Sequence, residues 1–184
     1  MTGDVETRIK LREAASRDGP LLDLWNSSPL YRGAFNDFGP APQGSLARVL
    51  ARQGLISEQR GLLIVERSAD AAPLGTVTWH AVSHGPNPQS QAWNIGIALI
   101  PEARGHGYGV EAQALLARHL LATSQANRIE ASTDVENLTE QGALEKAGFI
   151  REGVLRGAQF RAGAWHDLVL YSLLRQDVIP VPAS

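Results

Sequence analysis

Glycine stands at positions 105, 107 and 109, separated by His106 and Tyr108 and preceded by Arg104. Glycine lets a backbone turn sharply and bring several N–H groups to one point without Cβ obstruction. An apolar run over residues 95–100 ends at Pro101 just upstream, and an amphipathic pattern begins at Val110. The order is therefore strand, tight loop, helix. Unpaired N–H groups at a helix N-terminus, backed by the helix dipole, favour a bound anion. Arg104 adds a fixed positive charge at the mouth, so the stretch suits a phosphate or pyrophosphate. A P-loop would end in Lys followed by Ser or Thr, whereas Val110 and Glu111 follow Gly109. A dinucleotide fingerprint requires Gly-x-Gly-x-x-Gly, and position 110 is Val. The plain alternative is a glycine-rich connector with no ligand.

Fewer residues elsewhere have the type and placement for proton chemistry. Histidine is the side chain best tuned by intrinsic chemistry to proton transfer at neutral pH, and His80 shares one face of an alternating strand, residues 75–82, with Thr76, Thr78 and Val82; the alternative is a structural or solvent-facing histidine. Asp134 and Glu136, at the end of a strand over 129–135, could order a water, or they are surface carboxylates. Asn137 and Glu140 form Asn-x-x-Glu, a helix-capping signature that needs no ligand. His80 and His84 lie four apart without a third ligand motif, so no metal site is expected.

These residues need a scaffold, and the composition supplies one. At 184 residues with 43% hydrophobic and 20% charged content, the chain suits one domain with a full core. That domain is expected over residues 1–177, with a flexible tail over 178–184. Lys+Arg 17 against Asp+Glu 19 leaves a net charge of −2, which offers no footprint for nucleic acid or an anionic membrane. Cysteine is absent, which removes disulfides, thiol nucleophiles and thiolate metal sites. No signal-peptide pattern or membrane-length apolar run is evident, so a cytoplasmic protein is expected.

Alternation or apolar runs predict strands over 8–13, 62–65, 75–82, 93–100 and 129–135, with a hairpin over 154–174 turning at 162–164. Helices are predicted from 16–25, from 45–50, from Val110 onward, and from Asn137 to Gly148, a left-handed C-cap followed by apolar Phe149. In the helix after the glycine loop, Val110, Ala114, Leu116, Ala117, Leu120 and Leu121 make the apolar side. Glu111, Arg118 and Gln125 fall on the wet side. The irregular stretch 28–40 carries Tyr31, Phe35, Asn36, Asp37 and Phe38, which offer aromatic walls and a carboxylate suited to an ammonium. The alternative is a loop held to the sheet by its aromatics.

Arg104 to Gly109 also meets every position of Arg/Gln-x-x-Gly-x-Gly/Ala. With Asn137, Ala-Leu-Glu-Lys-Ala-Gly-Phe over 143–149, Glu-Gly-Val-Leu-Arg over 152–156, then Trp165, His166, Asp167 and Tyr171, the chain resembles the RimJ/RimL branch of the GNAT acetyltransferases. The resemblance covers about residues 75–174. It implies the α/β GNAT fold, a mixed and mostly antiparallel sheet of about seven strands with helices on both faces, whose fourth and fifth strands splay apart to admit acetyl-CoA. Main-chain groups of Ile97 and Leu99 would pair with the pantetheine arm, and one amide would polarise the thioester carbonyl. Arg104 and the loop from Gly105 through His106, Gly107 and Tyr108 to Gly109 would hold the pyrophosphate, and Asn137 would contact the pantetheine or its sulfur end.

The resemblance further implies direct transfer to an amine. Glu140 replaces a serine common in ribosomal-protein members, where that residue donates a proton to the CoA thiolate, and Gln159 replaces a glutamate found in some members. The candidate catalytic residues are therefore His80, Asp134 and Glu140, and the candidate acceptor residues Tyr31, Phe35, Asp37 and Phe38. Arg156 and Arg161, in the hairpin, would meet an acidic acceptor or remain solvated. Deprotonating a lysine-like amine of pKa ~10.4 at pH 7 costs about 4.6 kcal/mol, and an α-amine near ~8 about 1.4 kcal/mol. An N-acetyltransferase acting on a protein α-amine or a small-molecule amine, as a monomer or homodimer, is the expectation. A non-catalytic acyl-CoA sensor is the alternative.

Overall fold

Residues 7–39, 42 and 44–178 are described by a computed structural model. Of the flexible tail expected over residues 178–184, Val178 is instead helical and packed against the core, and residues 179–184 lie outside the described residues. Among the described residues seven strands form one sheet: β1 (Ile9–Glu13), β2 (Arg60–Arg67), β3 (Pro73–Ser83), β4 (Gln91–Leu99), β5 (Arg128–Asp134), β6 (Ile150–Arg161) and β7 (Ala164–Leu174). Their order is β1-β2-β3-β4-β5-β7-β6, and β4–β5 is the parallel neighbour pair. That pair joins only Trp93, Asn94 and Ile95 to Ile129, Glu130 and Ala131. Both strands continue beyond this register, β4 to Leu99 and β5 to Asp134, without pairing to each other. The sheet is thereby split along its middle.

Two helices cover one face. On α4 (Tyr108–Thr123) the residues Ala112, Leu116, Ala117, Leu120 and Leu121 are buried in one core with Ile9, Val65, Val77, Ile95 and Ile129. The expected apolar side is rotated slightly. Val110 and Ala114 are only half-buried, Gln113 is fully buried, and Glu111 is half-buried rather than wet. The reason is β1, which lays the Ile9 N–H and the Arg8 guanidinium on the Glu111 carboxylate. The second helix, α5 (Leu138–Lys146), stops where Gly148 takes φ 96°. The Phe149 N–H then closes on Leu144 O at 3.0 Å and its ring is buried, as the left-handed C-cap requires.

The front segment lies on the opposite face. It comprises α1 (Gly19–Ser27), α2 (Pro29–Arg32) and α3 (Ser45–Gln53), with 3-10 turns at Ser16–Asp18 and Ala34–Asn36. On β7 the Tyr171 hydroxyl donates to Glu145 of α5 at 3.1 Å, so strand alternation turns His166 to the other side. There Arg161 meets the front segment at Ala34 O and the Phe35 ring. The β6–β7 hairpin turns on Ala162 (φ 48°) and Gly163 (φ 83°), a two-residue left-handed turn that matches strand twist. A short helix, α6 (Arg175–Val178), follows β7. No helix among the described residues is long and apolar enough to cross a membrane.

Candidate active site

The glycine loop sits where β4 ends. A 3-10 turn at Pro101–Ala103 carries the chain to Gly105 (φ 78°) and to Gly107 (φ 80°), which is the N-cap of α4. Both glycines take left-handed conformations that other residues adopt at a cost. Glu111 N–H is the first to close on the helix, reaching Gly107 O at 3.3 Å. The N–H groups of Tyr108, Gly109 and Val110 therefore have no helical acceptor and face outward at the positive end of the dipole. Arg8 pins the loop from behind, donating to His106 O at 3.0 Å and lying 5.1 Å from the Tyr108 ring centre.

Arg104 is engaged differently from the sequence expectation. Its Nε donates to Leu99 O at 2.9 Å, and its Nη2 to Tyr31 O at 2.8 Å and Leu30 O at 3.3 Å. The guanidinium charge stays at the cavity mouth, but these donors stitch the front segment to the end of β4. An arginine has a planar fork with no flexible ammonium to spare, and here that fork has found three carbonyls.

A cavity of about 640 Å³ opens between the far half of β4, the loop and α5. Ile97, Leu99, Gly105, Gly107 and Gly109 line one side, Asn137 and Glu140 the other, and Arg32, Arg104 and Lys146 add positive charge. Ile100 N–H bonds Leu74 O on the β3 side. Alternation then points the main-chain groups of Ile97 and Leu99 to the open edge. The Leu99 carbonyl is taken by Arg104, which leaves the Leu99 N–H and both Ile97 groups for a guest. Arg32 Nε is buried and finds no partner among the described residues. A strand edge, a nest of N–H groups and a rim of cations fit a long ligand with amides at one end and phosphates at the other.

A second recess of about 130 Å³ adjoins the first and shares Phe35, Asn36, Ile97, Asn137 and Glu140 with it. Glu140 stands at the junction. Asn137 Oδ1 accepts the Glu140 N–H at 3.4 Å, so the capping half of Asn-x-x-Glu is present. The reciprocal half is missing, because Asn137 N–H closes on Asp134 O at 2.9 Å and the Glu140 side chain turns into the cavity instead. Its accessible surface is only intermediate, yet protein encloses the carboxyl closely enough that desolvation governs its charge. Burial pushes its pKa from 4.5 up to about 7, with the Gln113 side chain pulling weakly the other way. Asn137 also donates from Nδ2 to Thr133 Oγ1 at 2.9 Å, which fixes its amide between β5 and α5.

The other acid–base candidates are placed elsewhere or already engaged. Asp134 is buried and lines the recess, but it is ion-paired to buried Arg161, lies 3.2 Å from His166 Nδ1 and accepts Glu136 N–H at 2.8 Å. Its oxygens are already engaged by a guanidinium and a main-chain donor. Arg161 is thus a buried partner, neither solvated nor facing an acceptor. His80 is exposed on β3 and lines neither cavity. It belongs to the face of β3 away from α4, since Val77 and Trp79 take the core side. In the front stretch only Phe35 of the four acceptor candidates lines the cavities. Asp37 is bound by Arg32 at 3.2 Å, Phe38 is 58% exposed, and Tyr31 contributes its carbonyl to Arg104.

Residues 8–150 match the family model described as an acetyltransferase (GNAT) domain. The chain belongs to the GNAT acetyltransferases. It is 28% identical over 122 residues to the uncharacterized N-acetyltransferase YoaA of Bacillus subtilis, covering 66% of this chain and 67% of that protein. Its fold is similar to spermidine N-acetyltransferase from Vibrio cholerae in complex with CoA and spermine, with TM-score 0.78, 18% identity, and 92% and 97% of the two chains covered. Mycobacterium smegmatis RimJ in complex with CoA-disulfide superposes with TM-score 0.74 at 23% identity, over 96% and 85% of the chains. At these identities the two structures establish the fold alone. The fold has the seven-strand mixed sheet that the family resemblance implied.

Three residues of this acetyltransferase were not singled out from the sequence. Gln113 is 1% exposed and donates to Gly109 O at 3.1 Å, which ties the glycine loop to the residue that faces Glu140. A glutamine amid the apolar stripe one turn after Gly109 was its only signal. Arg32 and Lys146 reach the larger cavity from α2 and from the last turn of α5; no local pattern marks Arg32, and Lys146 appeared only within the motif over 143–149, without a role.

Proposed function

We propose that this GNAT N-acetyltransferase moves an acetyl group from acetyl-CoA directly to a primary amine, either a peptide α-amine or a weakly basic small-molecule amine. The observation that carries this reading is Glu140, unpaired by any cation among the described residues, at the junction of a long cation-rimmed cavity and a short polar recess. Acetyl-CoA would supply a thioester, and the chain's own groups do the rest. The N–H groups from Gly105 to Val110 would hold phosphate oxygens, and the open edge of β4 at Ile97 would align the amide-bearing arm. A β4 amide beside the thioester carbonyl would stabilise charge that develops on its oxygen.

Glu140 has the two-way role. With its pKa near 7 it is about half ionised at neutral pH. It can take the proton an incoming ammonium gives up, directly or through a water, and return a proton to the departing sulfur. One C–N bond forms, one C–S bond breaks, and the net proton leaves with solvent. Proton transfer from an α-amine near pKa ~8 is then uphill by about 1.4 kcal/mol, and from a lysine-like amine near ~10.4 by about 4.6 kcal/mol, which favours the former. Spermine in the Vibrio cholerae complex does not transfer to this chain on fold likeness at 18% identity.

The test is release of free CoA thiol from acetyl-CoA over a panel of amines, N-terminal peptides and aminoglycosides, with Gly107→Glu as control. Release that depends on one acceptor class and disappears in the control supports the reading. Acetyl-CoA that binds without any amine accelerating its loss would favour a sensor.

A further inference from the structure

Charge in the two cavities is unevenly shared. The recess that adjoins Glu140 is polar, and Asn36, Ser132, Thr133 and Gln159 give it neutral hydrogen-bonding groups. Among the described residues lining the two cavities, the carboxylates are Asp134 and Glu140. Asp134 is spent on Arg161 and His166. Asp37, nearby in the front stretch, is spent on Arg32. The cations Arg32, Arg104 and Lys146 all line the larger cavity. One unpaired carboxylate is therefore available, and in the proposed reaction it handles the proton of the reacting nitrogen.

We infer that the acceptor carries a single basic nitrogen on a neutral, hydrogen-bonding tail, and that polycationic amines such as polyamines and aminoglycosides are discriminated against. This rests on the acetyl-transfer reading and deepens it. A second ammonium entering the recess would be stripped of water with no counter-charge to meet it, and burying an unpaired ion is among the costliest events in a protein. A hydroxyl or amide in the same place finds donors and acceptors on Asn36, Ser132 and Gln159. The size agrees. At about 130 Å³ the recess holds roughly four waters' volume, taking ~30 Å³ for each. That admits an aminomethyl head and a short substituent.

The experiment compares an amino alcohol and a diamine of equal length whose reacting α-amines have the same weak basicity near ~8, N-(2-hydroxyethyl)glycinamide and N-(2-aminoethyl)glycinamide, with spermidine as a third. The readout is kcat/KM from CoA thiol release, alongside acetyl-CoA affinity by calorimetry. The amino alcohol is expected to exceed the diamine by at least about tenfold. Adding a carboxylate, by Gln159→Glu or by Asn36→Asp on the exposed turn, is expected to narrow or invert that ratio. Wild-type turnover of the diamine or spermidine equal to or better than the amino alcohol would overturn the inference while leaving acetyl transfer intact. An unchanged ratio in both folded variants would overturn it as well. If acetyl-CoA binds but no amine is acetylated, the transfer reading fails and this inference falls with it.

Discussion

Replacing Glu140 by Gln should make the protein more stable and less active at once. The carboxyl has an ordinary pKa of 4.5 in the unfolded chain and about 7 in the folded one. Between those values the folded protein holds a proton that the unfolded chain has released, so stability falls as pH rises through that window. Above pH 7 the ionised group sits in its cavity at full cost. The difference corresponds to about 3 kcal/mol, a ceiling because the group borders an open cleft that water can enter. A gain of about 1–3 kcal/mol for Glu140→Gln is therefore expected at pH 8, with little gain at pH 4.5, where the folded carboxyl is neutral and the unfolded one only half ionised. Urea unfolding followed by tryptophan fluorescence at the two pH values measures it, since four tryptophans report on the fold. A stability difference that does not depend on pH, or a variant less stable at pH 8, would refute the reasoning. Slower CoA release by the same variant would mark the residue as one kept for chemistry at the expense of stability.

Three further outcomes follow from the contacts. Arg161→Met should cost about 3–5 kcal/mol by leaving Asp134 buried without its cation, and adding Asp134→Asn should recover part of that, both read by thermal or urea unfolding. Arg104→Ala frees Leu30 and Tyr31 from the end of β4, so the acceptor KM should rise by about tenfold, ~1.4 kcal/mol, with a smaller change in acetyl-CoA affinity; steady-state kinetics with both substrates varied would decide it. Gly107→Glu forces φ 80° on a residue with a side chain, sets its Cβ 3.2 Å from Arg8 Nη2, which pins the loop, and adds a negative charge beside the N–H groups; calorimetry should show acetyl-CoA binding abolished while circular dichroism keeps its native shape.

What could be read in advance depended on how local its cause was. The glycine loop was legible because the demand for left-handed backbone at Gly105 and Gly107 is written residue by residue. Strand alternation and the Gly148 cap were legible for the same reason. Glu140 was half legible. Asn-x-x-Glu foretold the cap on its N–H, but the direction of its side chain depends on α4, a separate element. Long-range pairing was not legible. Nothing periodic tells that Arg161 reaches Asp134, that Arg32 takes Asp37, or that Arg104 holds the carbonyls of Leu30 and Tyr31. Glu111 looked solvent-facing by helical spacing until β1 covered it with Arg8 and Ile9. His80 had suitable intrinsic chemistry, and only the position of β3 within the sheet shows that it stands outside both cavities.

The most direct measurement is a crystal structure of the protein with CoA bound. The expected result has the sulfur at the parting of β4 and β5 beside Asn137 and Glu140, with the pyrophosphate on the N–H groups from Gly105 to Val110. CoA seated instead in the hollow lined by His84, Arg128 and Glu152, or phosphates that avoid the glycine loop, would contradict the assignment of this cleft as the site of acetyl transfer.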